Sequence, residues 1–155
     1  MADGYWPLEV GKPSANSQNQ ELIAMKIDKE LLDSLTQKAK ASERLRMNMD
    51  MRTSQDDASQ RMLNALEPGT ILPIHRHRFT AETVIMVRGS LKEIFYNDCG
   101  EVTDTILMQT GGECPALQIP AGQWHTVEVL EPGTVIFEAK DGAYTPLTED
   151  DILTI

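Results

Sequence analysis

The three histidines of this chain lie in two short segments, and one glutamate stands close to the first pair. His75 and His77 are two residues apart, so on an extended strand both imidazoles leave the same face. Glu82 reaches that face from the next strand after a short turn, and His125, which follows a Pro-x-Gly turn, can supply a third nitrogen from another strand. Imidazole nitrogens and a carboxylate suit Fe(II), Mn(II), Zn(II), Ni(II) or Co(II). The sequence therefore predicts one divalent transition metal bound by His75, His77, Glu82 and His125.

Such a site has room for chemistry. Four protein ligands leave two positions free on a metal that prefers six, and a small molecule can bind there. Zn(II) would act on it as a Lewis acid, whereas Fe(II) would activate O2. If the histidines were ordinary core or surface residues they would be scattered, and here the full set stands at ligand spacing. A purely structural metal would call for a closed tetrahedral site.

The two segments resemble the two motifs of the cupin superfamily. Residues Gly69 to Gly89 contain glycine, five residues, His-x-His, four residues, Glu, six residues and glycine, which matches the first motif in full. Residues Pro120 to His125 match the core of the second motif, although Cys114 stands where glycine is expected and Glu128 with Val129 where many cupins have asparagine. The resemblance implies a double-stranded β-helix, also called a jelly roll, with the four predicted ligands in its interior.

Further segments resemble the WbuC family of cupin-fold metalloproteins over about residues 27 to 150. They are Arg46 to Asn48, Gln60 to Gly69, Trp124 to Thr126 and Leu130 to Glu138. This resemblance implies a metal-binding protein that acts on or binds a small carbohydrate-derived molecule in bacterial surface polysaccharide (O-antigen) metabolism. Two alternatives stay open: a metal-dependent dioxygenase and a non-catalytic sensor or binding cupin. Whether the chain is an enzyme is thus undecided by its sequence.

Few other residues offer chemistry. By strand parity Tyr96, Glu128 and Glu138 are candidates to stand beside the ligands, and no Ser, Cys or Lys nucleophile with a partnering base is evident. The unpaired Cys99 and Cys114 are not expected to be catalytic. Five arginines can gather at the mouth of the barrel to bind a carboxylate or phosphate, or can be solvated surface charges: Arg44, Arg46, Arg61, Arg76 and Arg78.

Length and charge limit the function. A chain of 155 residues is one domain. Its net charge of −10 argues against nucleic acid or an anionic membrane as partner. No run approaches the roughly 20 apolar residues of a membrane span, and the N-terminus lacks the features of a secretory signal. We therefore expect a cytoplasmic protein.

The chain divides into a flexible N-terminal extension, residues 1–26, and a helix plus cupin metal-binding domain, residues 27–155. The extension is polar and poor in apolar periodicity. Asp28 is a suitable N-cap for a helix that ends near Ser42 and covers the outside of a sheet. The predicted architecture is all-β, a double-stranded β-helix with one N-terminal helix.

Alternating or apolar segments predict the strands. They are Arg46 to Arg52, Gln60 to Leu66, Thr70 to His77, Glu82 to Arg88, Ser90 to Asn97, Thr103 to Gln109, Leu117 to Ile119, Trp124 to Leu130 and Thr134 to Ala139. Met47, Met49 and Met51 share one face and are expected to pack in the core. Gly89 predicts a hairpin between two of the strands.

Thr83 to Val87 is apolar on both faces, which indicates a strand covered on both sides. A two-layer sandwich covers only one face, so the other needs the helix or a second subunit. We therefore expect a homodimer. The acidic tail from Tyr144 onward is expected to pack back weakly.

Overall fold

The computed structural model of the protein describes residues 22–155. In this part of the chain ten strands form two five-stranded sheets, and the strand pairs are antiparallel. The first sheet has the order β1-β2-β9-β4-β7 and the second β10-β3-β8-β5-β6. The predicted double-stranded β-helix with one helix is confirmed. The predicted extension falls largely on residues 1–21, which lie outside the described residues.

The element bounds follow the sequence pattern closely. They are α1 (Lys29–Ala41), β1 (Arg46–Asp50), β2 (Ser59–Leu66), β3 (Ile74–His75), β4 (Glu82–Arg88), β5 (Ser90–Tyr96), β6 (Val102–Gln109), β7 (Ala116–Ile119), β8 (Trp124–Val129), β9 (Thr134–Asp141), a 3-10 helix (Glu149–Asp151) and β10 (Ile152–Leu153).

Helix α1 begins where the sequence predicts. The Asp28 carboxylate accepts a hydrogen bond from the Leu31 N–H at 3.1 Å and caps the first turn. The helix lies on the outer face of the first sheet, where the methionines of β1 face it. This outer core consists of Leu32, Leu35, Ala39, Met49, Leu63, Ala65 and Val135, with Met47 and Met51 packed against it. The methionine stripe is therefore core packing, as predicted.

A second apolar core fills part of the space between the sheets. Its buried members are Leu66, Val84, Met86, Leu91, Met108, Ile119, Val129 and Ile136. Three of them, Leu66, Val84 and Ile136, also line a cavity of about 480 Å³ in the barrel. The core thus holds the sheets together while part of the interior stays open.

The predicted hairpin across Gly89 is wrong. β4 belongs to the first sheet and β5 to the second, so the chain crosses from one sheet to the other at this residue. Gly89 has a φ of +83°, and a Cβ there would lie 2.3 Å from the Thr134 hydroxyl oxygen. Glycine is needed here because it allows both the left-handed backbone and the close approach to β9.

The predicted strand from Thr70 to His77 is shorter than expected. Only Ile74 and His75 form β3, which pairs with β8 and with the C-terminal β10. Pro73 has no N–H to donate to a sheet, so the regular pairing begins only after it.

The outer face of β4 is only partly covered. Val87 packs against the core beneath the helix, whereas Ile85 on the same face is 40% exposed. Within residues 22–155, none of the helices has the length and apolar character needed to cross a membrane.

The close approach at Gly89 predicts a specific loss of stability. We expect Gly89→Ala to lower the free energy of unfolding, measured with urea, by about 1–2 kcal/mol for the left-handed backbone plus a further packing cost against Thr134. Gly111→Ala is the matched control, because Gly111 has a φ of +73° and a Cβ added there would meet no heavy atom within 4 Å. Equal losses in the two variants would contradict the packing explanation.

Candidate metal centre

The four predicted ligands converge inside the barrel. One ligand atom from each of His75, His77, Glu82 and His125 lies within 4.8 Å of all the others. The Glu82 Oε2 atom lies 3.0 Å from His77 Nε2 and 3.7 Å from His125 Nε2. Side chains from three separate segments of the sequence thus share one small volume.

The pairing of strands explains this convergence. His75 in β3 lies directly opposite His125 in β8, so both imidazoles start from neighbouring positions of the second sheet. Glu82 is the first residue of β4 and approaches from the first sheet. The His77 carbonyl accepts a hydrogen bond from the Gly122 N–H at 2.8 Å, which joins the first motif to the Pro-x-Gly turn of the second.

Two of the imidazoles are oriented by backbone carbonyls. His75 Nδ1 lies 3.0 Å from the Pro73 carbonyl oxygen, and His125 Nδ1 lies 2.9 Å from that of Gln123. A carbonyl oxygen only accepts, so each Nδ1 carries the proton of the neutral ring. The Nε2 lone pairs are then available, which is the state that metal ligation requires.

One oxygen of the Glu82 carboxylate, Oε2, has no hydrogen-bond partner among the described residues. Glu82 is only 3% exposed, and two imidazole nitrogens stand close to Oε2. A buried carboxylate oxygen without a partner costs free energy unless a cation is near. Ligands about 2.1 Å from one ion lie about 3 Å apart when adjacent and about 4.2 Å apart when opposite, comparable with the separations here. The cluster fits a divalent metal site.

The surroundings of the cluster favour the ligating forms of Glu82 and His75. Burial opposes ionisation of Glu82, but the Lys140 ammonium, 3.9 Å from Oε1, and the His125 and His77 imidazoles hold the pKa of this carboxyl well below its usual value. Burial and the charge of His125 lower the pKa of His75 to about 3, so that ring stays neutral. Burial lowers the pKa of His125, but the hydrogen bond and the charge of Glu82 outweigh burial and raise the pKa of that ring, so metal binding competes with protonation there.

Three ionisable residues beside the ligands line the cavity: Glu93, Glu138 and Lys140. Strand parity makes Glu138 a candidate, and Lys140, two residues further along β9, shares that parity although it was not among the predicted candidates. Lys140 Nζ lies 3.8 Å from Glu138 Oε2, and the charges of Glu138 and Glu82 outweigh burial and raise the Lys140 pKa, which favours its ammonium form. Glu93 was missed as well.

The two glutamates hold protons unusually well. Glu93 is 1% exposed, and burial, followed by repulsion from Glu82 and Glu138, raises its pKa to about 8 despite attraction to His125. Burial and the Glu82 charge raise the pKa of Glu138 to about 7 against the opposing effect of Lys140. Near neutral pH both groups can therefore donate or accept a proton.

The other two residues that the alternation of strand faces predicted beside the ligands, Tyr96 and Glu128, lie elsewhere. Tyr96 and Glu128 are not among the residues that line the cavity, and Glu128 instead pairs on the surface with Lys92 at 3.4 Å. Cys114 also lies outside the cavity lining, and Cys99 is exposed in a turn.

Four of the five arginines line the cavity: Arg44, Arg46, Arg76 and Arg78. Arg61 does not, and it forms an ion pair with Asp57 at 2.9 Å. Arg78 donates to Asp151 at 2.7 Å, the Arg76 guanidinium lies over the Trp124 ring at 4.2 Å, and Arg46 donates to the Ile71 carbonyl at 2.7 Å. The arginines therefore gather only in part, and those that line the cavity already have protein partners.

The C-terminal tail packs back more extensively than predicted. Residues 143 to 148 line the cavity, and Ile152 in β10 pairs with His75 in β3. The Arg76 N–H also donates to the Asp151 carbonyl at 3.0 Å. The tail thus forms one wall of the site and supports the strand that carries a proposed ligand.

Comparison with known proteins gives a family and a fold. The family described as "Domain of unknown function (DUF6016)" matches residues 27–108. No curated protein matches the sequence.

Among solved structures, KdgF from Halomonas sp. is 13% identical, with a TM-score of 0.51 over 63% of this chain and 80% of its own. Oxalate decarboxylase from Bacillus subtilis, in a structure at pH 4.6, is 20% identical with a TM-score of 0.51 over 71% of this chain. The match covers only 27% of the decarboxylase. A second structure of that enzyme, from work on its Mn(II) centres, gives the same identity and TM-score. These neighbours are cupins, and the likeness shows that this chain has the cupin jelly-roll fold.

The proton held by Glu93 makes stability depend on pH. In the unfolded chain this carboxyl ionises near its ordinary pKa of 4.5, whereas in the folded protein it keeps its proton up to about pH 8. The folded state binds more protons in this window, so its stability falls as pH rises from about 4.5 to 8. Glu93→Gln removes this contribution.

We expect the metal-free Glu93→Gln variant to gain stability relative to the unsubstituted protein between pH 5 and pH 8, on the order of 1–4 kcal/mol. Urea unfolding at both pH values measures this gain, and Glu128→Gln on the surface is the control. An unchanged difference between the two pH values would contradict the assignment.

Proposed function

We propose that this chain, which belongs to the DUF6016 family, is a cupin that binds a divalent metal through His75, His77, Glu82 and His125 and acts on a small, oxygen-rich molecule. The observation that carries the proposal is the buried Glu82 Oε2 atom, which makes no hydrogen bond among the described residues and lies 3.0 Å from His77 Nε2 and 3.7 Å from His125 Nε2.

We place Mn(II) and Fe(II) ahead of the other divalent metals. Three imidazoles and one carboxylate form a donor set of intermediate hardness that accepts either ion and leaves open positions for a ligand. The Mn(II) centres of the oxalate decarboxylase neighbour support manganese as the first ion to test. A bound divalent ion would polarise a pair of adjacent oxygens in the ligand.

The residues around the centre favour an enzyme over a passive sensor. Glu138 and Lys140 form a partly buried ion pair in the same cavity, and Glu93 adds a buried carboxyl from the facing sheet. A binding module has no need of three such ionisable groups, since removing each of them from water costs free energy. We assign to Glu138 and Lys140 the transfer of a proton to or from a hydroxyl or adjacent carbon of the ligand.

The segments that resemble the WbuC family support a carbohydrate-derived ligand and a role in bacterial surface polysaccharide metabolism. We also propose that the protein acts in the cytoplasm. We further propose a homodimer that covers the exposed Ile85 on the outer face of β4. Light scattering would then give twice the chain mass of 17.3 kDa.

Loss of a ligand should empty the site while sparing the fold. We expect His77→Ala and His125→Ala to reduce metal content after dialysis at least tenfold, because each removes one of four bonds to the ion. Elemental analysis of protein purified without a histidine tag measures the content, and circular dichroism checks the sheets. Glu128→Ala is the control on the surface of β8. Full metal content in both histidine variants would refute the ligand assignment.

Turnover separates an enzyme from a sensor. The Mn(II)-loaded protein is incubated in deuterated water with a panel of ketoses and sugar acids. For at least one of these compounds we expect the hydrogen on the carbon next to the carbonyl to exchange for deuterium, which NMR measures. Lys140→Met should slow this exchange about 100-fold or more, whereas Lys92→Met on the surface should not.

Two other outcomes would reject this proton-transfer role. Oxygen consumption with the Fe(II) protein would indicate the dioxygenase alternative, and ligand binding without exchange would indicate the sensor.

A further inference from the structure

A second polar group lies in the cavity away from the metal centre. Asn64 in β2 lines the cavity and is 8% exposed, and its Oδ1 atom makes no hydrogen bond among the described residues. Asn48 in β1 lies directly opposite it in the sheet and lines the same cavity. A buried amide oxygen without a donor costs about 1–3 kcal/mol, which a ligand hydroxyl would offset.

Strand register gives the distance from this amide pair to the metal centre. Glu82 lies opposite Lys140, and Lys140 lies opposite Gln60, so these three residues form one row across the first sheet. Asn64 is four residues further along β2 than Gln60, or about 13 Å at 3.3 Å per residue. β4 lies two strands away from β2, or about 9.6 Å, so the backbones of Asn64 and Glu82 are roughly 16 Å apart. Because both side chains extend into the cavity, a ligand that reaches both sites must span on the order of 10 Å.

The wall between the two sites carries both polar and apolar groups. Ile136 lies opposite Asn64 in the sheet and Met62 lies two residues from it, and both line the cavity together with Val84 and offer apolar surface. A sugar ring presents C–H faces and hydroxyl edges, so this combination of surfaces suits it. A fatty acid of the same length would leave the Asn64 oxygen unpaired.

We propose that the cavity binds an elongated polyhydroxylated acid about two sugar units long, with its carboxylate at the metal and a hydroxyl of its distal unit donating to Asn64 Oδ1. The orientation rests on the proposed function, because a divalent ion with one carboxylate ligand retains positive charge and prefers an anionic oxygen. Asn48 assists as the neighbouring amide. Asn48 and Asn64 then determine which ligands bind, by their length and their hydroxyl groups, and take no part in the reaction.

Three probes test this assignment on the Mn(II)-loaded full chain. Lactobionate has two sugar-derived units and a carboxylate, gluconate keeps the same acid unit alone, and lactose has two units without the carboxylate. We expect calorimetry to show lactobionate binding at least fivefold more tightly than either of the others. Paramagnetic broadening by Mn(II) should be stronger for the gluconate unit of bound lactobionate than for its galactose unit.

The decisive variant is Asn64→Leu, which keeps the branching at Cγ and removes the acceptor. It should weaken lactobionate binding about fivefold to tenfold while changing gluconate binding less than twofold and leaving metal content unchanged. Gln118→Leu is the matched control. Gln118 belongs to the same sheet but does not line the cavity, and its side-chain oxygen accepts a hydrogen bond from the Thr83 hydroxyl. If circular dichroism shows Asn64→Leu misfolded, Asn64→Ala replaces it.

Each result has one meaning. Unchanged lactobionate affinity in the Asn64 variant, equal weakening of gluconate, or no lactobionate binding by metal-loaded protein overturns the distal site and leaves the metal centre intact. An unsubstituted protein that holds no metal overturns the proposed function and this inference with it.

Discussion

The structure depends on a buried carboxylate held against three imidazoles between two sheets. Glu82 would be costly in this place without compensating charge, and Lys140 supplies part of it from the neighbouring strand. Carbonyl groups fix the tautomer of His75 and His125, so their Nε2 lone pairs remain available. The fold thus positions a set of donors whose remaining electrostatic need is a cation.

Both sheets must be in place before this set exists. His75 and His125 belong to the second sheet and Glu82 to the first, so no single hairpin can assemble the centre. The crossing at Gly89 sends the chain from one sheet to the other, and the C-terminal β10 pairs with the short strand that carries His75. Loosening either connection would disturb the centre from a distance, which links fold stability directly to the site.

Local patterns were sufficient to predict much of this structure. The N-cap at Asp28, the alternating methionines of β1 and the spacing of the histidines each follow from residue type and period. The sheet assignment of β4 and β5 could not be predicted that way, because a glycine between two strands has the same local pattern in a hairpin and in a crossing. Glu93 was missed because its role depends on burial, which only the packed sheets reveal, whereas Lys140 shares the strand face of Glu138 and could have been found from it. The unpaired Asn64 oxygen likewise has no signal in the sequence.

The most direct measurement is a crystal structure of the Mn(II)-loaded protein with anomalous diffraction data at the manganese edge. We predict one strong peak about 2.1–2.3 Å from the Nε2 atoms of His75, His77 and His125 and from Glu82 Oε2. A peak elsewhere in the barrel, or bonds through Nδ1 instead of Nε2, would contradict the central claim.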